Sequence, residues 1–124
     1  VFAAGNVLHV HDLVDYVAEE ARRAGAACAR WIRGGRPGRE LRVKAGPNVR
    51  YAAPCRVSPE SPNKLYLRTL IVKNDAVLEV RLDNRVIQSR KKPHVQPSEM
   101  ISVTVDPEDL AGAGPDSTIE IAIL

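Results

Sequence analysis

Aromatic side chains are scarce in this chain: one Phe, one Trp and three Tyr in 124 residues. That scarcity argues against a nucleic-acid surface, which needs stacking rings set in a clustered basic face. It also requires the core to be built from Val, Ile, Leu and Ala, which favours a thin β-structure over a deep cavity. Cysteine is almost absent as well. Cys28 and Cys55 make no disulfide framework, no Cys-x-x-Cys pair and no zinc-finger spacing. Two isolated thiols fit a reducing, cytoplasmic setting. No apolar run approaches the roughly 18 residues of a membrane span. No G-x-G-x-x-G fingerprint occurs, so nothing here cradles a pyrophosphate. Charge is nearly balanced, at a net +3. Residues 1–33 carry Asp12, Asp15, Glu19 and Glu20 against Arg22, Arg23, Arg30 and Arg33, so the whole excess lies in 34–124.

What the chain does contain begins with one helical pattern. Over residues 12–33, Leu13, Val14, Val17, Ala21, Ala24, Cys28 and Trp31 or Ile32 recur at spacings of three and four. Asp12 is the expected N-cap, with Asp15 completing a box-like arrangement. Arg30 and Arg33 suit the C-terminal dipole, and Gly34-Gly35 supply the stop. Gly25 sits inside this pattern at a cost of about 1 kcal/mol relative to Ala. Followed by Ala26 and Ala27, it predicts a face that lies close against a sheet. Ahead of the helix, Val1–Ala4 reads as the end of a buried strand that turns tightly at Gly5. A strand of that kind belongs in a parallel sheet covered on both faces, which points to a missing partner.

After the linker-like GGRPGRE of residues 34–40, the hydrophobic period changes from near four to two. Strands are predicted at Leu41–Lys44, Val49–Ala52, Cys55–Val57, Lys64–Val72, Val77–Leu82, Val86–Ser89, Glu99–Val105 and Thr118–Leu124. Asp83-Asn84 reads as a two-residue hairpin turn, and Pro107–Leu110 as a single helical turn. About seven short strands with turn residues between them predict a mainly β fold, an antiparallel sandwich of immunoglobulin-like shape. A small barrel is the runner-up. The expected division is 1–35, a strand and helix from an α/β cofactor domain, and 36–124, the sandwich.

The opening text, Val1-Phe2-Ala3-Ala4-Gly5-Asn6, followed by a long helix bearing Gly25-Ala26-Ala27, resembles the last FAD-contacting stretch of flavoproteins of the pyridine nucleotide-disulfide oxidoreductase type. The run GNVLHVHDLVDYVAEEA and the tail from KAGPNVRYAAPCRV to SRKKPHVQPSEM are similar to bacterial FAD-dependent oxidoreductases with a β-rich C-terminal extension. The resemblance implies FAD as the cofactor of an NAD(P)-linked parent enzyme, with this chain inactive alone and supplying no catalytic residue. It implies a flavin-contact set of Gly5, Asn6, Val7, Leu13 and Val14. Gly5 is then the turn, Asn6 stands where the family has a carboxylate toward the ribityl chain, and Leu13 and Val14 offer helix N–H groups. It implies as partners the rest of the flavoprotein or another oxidoreductase subunit, or a second copy through the helix. Neither nucleic acid nor a membrane is expected. Asn in place of Asp leaves an uncharged, weaker acceptor.

Other residues invite sharper readings. His9 and His11, as H-x-H, are expected to hydrogen-bond or pack in preference to binding a metal. Asp12 or His11 could act as an acid or base beside a flavin. Arg90-Lys91-Lys92, followed by Pro93, reads as a solvated strand end rather than a phosphate site. Cys55 reads as a small buried residue, and Trp31 as a packing anchor. The competing reading of the whole chain is a free-standing sandwich that binds protein, with a helical arm. In that case Leu13, Val17, Ala21 and Ala24 should be buried.

Overall fold

The computed structural model describes residues 1–124. They divide into two compact units, Val1–Gly38 and Arg39–Leu124.

The first unit holds a 3-10 turn, Gly5–Val7, and one helix, α1 (Val14–Ile32). Three expectations for it need correction. Val1–Ala4 forms no strand and its first three residues are exposed, because a lone extended segment has nothing to satisfy its backbone groups. Asp12 is not the N-cap. Leu13 takes that position with φ −128° and ψ 140°, and no side chain caps the helix. The C-terminus follows the sequence closely. Gly35 N–H donates to the Arg30 carbonyl at 2.9 Å and Gly34 N–H to the Trp31 carbonyl at 3.0 Å. With Gly34 at φ +86°, this is a Schellman motif. None of the helix's residues is fully buried. Trp31 is exposed, with the Arg36 guanidinium 4.5 Å above its ring; it anchors no packing. A Cβ at Gly25 would meet nothing within 4 Å, so no backbone approaches that point of the helix.

The second unit is a β-sandwich of eight strands: β1 (Leu41–Ala45), β2 (Val49–Ala53), β3 (Arg56–Val57), β4 (Asn63–Thr69), β5 (Lys73–Leu82), β6 (Arg85–Val95), β7 (Met100–Val105) and β8 (Thr118–Ile123). One sheet has the order β3-β1-β8-β5-β6 and the other β2-β4-β7. Alternation does what it should. Leu78, Val80 and Leu82 of β5, Ile101, Val103 and Val105 of β7, and Ile119, Ile121 and Ile123 of β8 all enter the shared core. Glu79 and Arg81 pair at 2.7 Å on the opposite face of β5. Pairing is antiparallel except for β1 with β8, which run parallel from Arg42↔Thr118 to Ala45↔Ile121.

Several boundaries moved. β4 stops at Thr69 rather than running to Val72. There the Thr69 hydroxyl donates to the Asn48 carbonyl at 2.9 Å and accepts from Ile71 N–H at 3.2 Å. Those local bonds replace the ladder, and Leu70 and Val72 emerge into solvent. β6 does not end at Ser89. Arg90, Lys91 and Lys92 pair with Leu78, Val77 and Ala76. The basic run therefore lies within an edge strand, where charge and Pro93 discourage further pairing. Residues 107–110 make successive tight turns, with Leu110 N–H donating to the Pro107 carbonyl at 3.2 Å. Cys55 is exposed, contrary to a buried role. No helix is long and apolar enough to cross a membrane.

Candidate functional site

The chemistry-bearing side chains of the first unit converge on one carboxylate. Gly5 is buried and takes φ +79°, a left-handed backbone that only glycine adopts freely. Leu8 N–H donates to the Gly5 carbonyl at 3.0 Å and closes the 3-10 turn. The chain then runs irregularly to Leu13, and this segment is inside out. Val7 and Val10 are 77% and 60% exposed, while His9 and His11 are buried. In an extended strand, side chains two apart share a face. Here both imidazoles turn inward, with ring centroids 4.1 Å apart.

Their common partner is Glu20, on the second turn of α1. His11 Nε2 lies 2.9 Å from Glu20 Oε2, and His9 Nε2 lies 3.5 Å from Oε1. Gly5 N–H donates to Oε2 at 2.6 Å. The Glu20 side chain is only 12% exposed. Burial pushes its carboxyl upward. The His11 hydrogen bond, the Gly5 N–H and the attraction of both imidazoles outweigh that and hold it below the ordinary glutamate value. The site is therefore a carboxylate held ionised between two imidazoles and a backbone donor. Such a group can tie the Gly5 turn to the helix, exchange a proton with His11 or ligate a cation.

The five residues expected beside a flavin are placed differently from one another. Gly5 is inside, its N–H committed to Glu20. Asn6 is exposed, and its Oδ1 accepts weakly from His11 N–H at 3.4 Å. Val7, Leu13 and Val14 all stand at the surface. Gly5, Asn6 and His11 are thus brought together, while Val7, Leu13 and Val14 are each exposed. The N–H groups of the first helical turn have no side-chain cap. Glu20 is the member that sequence reasoning missed. Its signal was available: it lies three residues after Val17 and four before Ala24, a charge inside the apolar stripe.

No family model, curated protein or solved structure matches this chain.

Proposed function

We propose that this chain is a C-terminal segment of an FAD-dependent, NAD(P)-linked oxidoreductase. On this reading residues 1–35 contribute one edge of the flavin site. The sandwich of residues 36–124 contacts a partner subunit or another protomer. The segment is cytoplasmic and does not turn over alone, because the pyrophosphate cradle belongs to other residues.

The observation that carries the reading is the exposed apolar surface of the first unit. Val7, Leu8, Val10, Leu13 and Val14 are each exposed, as are Trp31 and Ile32 at the far end of α1. Apolar surface gathered on so small a unit is a mark of an interaction face. The residues also suit the cofactor they would border. Gly5 bends the backbone sharply, Asn6 is exposed beside it, and the N-terminus of α1, capped by Leu13 without a side-chain bond, turns its positive dipole end toward an electron-rich group. FAD supplies the hydride chemistry when bound; the role of this segment is to border and orient it.

The test is a visible flavin spectrum. The chain is purified alone with added FAD, and again after co-expression with an FAD-loaded nucleotide-binding domain of the resembling type. Flavin should accompany the assembly and not the isolated chain. Gly5→Val should release it and Asn6→Ala should loosen it. Tight flavin binding by the 124 residues alone, or an assembly indifferent to Gly5→Val, refutes the reading.

A further inference from the structure

The inverted burial of residues 7–11 asks for an explanation that a flavin edge does not supply. Two imidazoles are placed inside while Val7, Leu8 and Val10 face out. Burying polar groups is unfavourable unless they are well bonded, and both rings face the same carboxylate. We propose that His9, His11 and Glu20 form a binding site for one divalent transition-metal ion of the zinc type, a function separate from the flavin edge.

Geometry carries the assignment. The three donor atoms lie within 4.8 Å of one another. A zinc ion bound at about 2.0–2.1 Å in tetrahedral geometry sets its ligands ~3.4 Å apart, and a six-coordinate ion sets neighbouring ligands about 3.0 Å apart. The spacing of 3.5 Å from His9 Nε2 to Glu20 Oε1 is close to the tetrahedral value, and His11 Nε2 lies 2.9 Å from the other oxygen of the same carboxylate. Both imidazoles approach through Nε2, one toward each carboxylate oxygen. The side chains of His9 and His11 are 1% and 0% exposed, so the donors are held in a dry, shaped place.

The surroundings fit a metal as well. Gly5 N–H donates to Glu20 Oε2 at 2.6 Å, the kind of outer hydrogen bond that orients a ligating carboxylate and leaves Oε1 for the ion. Two nitrogens and one oxygen suit Zn²⁺, Co²⁺ or Fe²⁺ better than Ca²⁺ or Mg²⁺, which prefer oxygen. Three protein ligands leave a further position for water or an incoming group. Bound there, the ion would clamp the Gly5 turn to α1.

The experiment uses the full chain, stripped with a chelator and dialysed against Zn²⁺, with retained metal counted by elemental analysis. Co²⁺ is used for spectroscopy. One equivalent should remain. Glu20→Gln and His11→Gln should each weaken binding by more than about a hundredfold, the upper end of what outer-shell partners alone produce. His94→Gln and the double change Cys28→Ser, Cys55→Ser should bind as the parent does. Imidazole NMR of the unsubstituted protein should show Nε2 of His9 and His11 coordinated, a readout that does not depend on any variant folding. Absence of retained metal, a thiolate-to-cobalt band, or binding untouched by Glu20→Gln and His11→Gln overturns the assignment.

Discussion

The backbone N–H of Gly5 donates to the Glu20 carboxylate across 2.6 Å, although fifteen residues separate them. This bond fixes the entry turn onto the second turn of α1. It also explains why position 5 must be glycine, since the donor is aimed by a backbone at φ +79°.

Gly5→Ala should therefore be costly for a reason other than crowding. An added Cβ would sit 3.6 Å from Val17 Cγ1, an ordinary contact. The left-handed backbone itself costs about 1–2 kcal/mol for an L-residue. Helix melting followed by far-UV circular dichroism should show a loss of that size. An unchanged melt would mean that the turn is not maintained by Gly5.

The two ends of the glycine question in α1 give opposite signs. Gly35→Ala would push a Cβ to 2.8 Å from the Arg30 carbonyl oxygen and break the Schellman bonds, lowering helix stability. Gly25→Ala meets open space and should raise it by up to about 1 kcal/mol. If a partner covers this face, Gly25→Ala should at the same time weaken assembly, which a mixing experiment by size-exclusion chromatography would detect.

The hairpin after β5 has an electrostatic lock. Asp83 accepts from Thr118 N–H and from the Ser117 hydroxyl, each at 2.9 Å. Those bonds hold its carboxyl below the ordinary aspartate value. A depressed folded-state value means that the stabilisation is present above the unfolded-state value near pH 4 and is lost as pH falls through the lower folded one. Asp83→Asn should lower the melting temperature slightly at neutral pH and remove this part of the acid decline. Parallel acid limbs for parent and variant would contradict the lock.

At the centre of the larger sheet, Ile121 is fully buried and β8 is flanked by β1 and β5. Ile121→Ala should destabilise the sandwich by about 2–5 kcal/mol in urea unfolding. A change below about 1 kcal/mol would mean that the two sheets do not share the core described.

The sandwich was legible wherever one face is buried and the other wet. The alternation in 77–82, 101–105 and 119–123 names its own inward residues, and Asp83-Asn84 names its own turn. What could not be read depends on pairing at a distance. The parallel register of β1 with β8 joins residues almost eighty apart. The extension of β6 through Arg90–Lys92 comes from the ladder with β5, and no local propensity in Arg-Lys-Lys-Pro announces it. In the first unit, the Gly34-Gly35 stop was plain because it is local. Asp12 misled because a good capping residue one position early looks the same in sequence as a cap. His9 and His11 were visible as a pair, and their partner Glu20 was legible only as a charge set between Val17 and Ala24 of the apolar stripe. The five residues expected beside a flavin rest on resemblance; the structure buries Gly5 and exposes Asn6, Val7, Leu13 and Val14.

The most direct test of the central proposal reads the backbone amides of the first unit. A labelled sample of the full chain is mixed with an FAD-loaded nucleotide-binding domain of the resembling type and followed by two-dimensional NMR. The account predicts shifts concentrated at Asn6, Val7, Leu13 and Val14, larger with FAD than with the flavin-free domain. Shifts confined to the sandwich, or none at all at saturating partner, would contradict it.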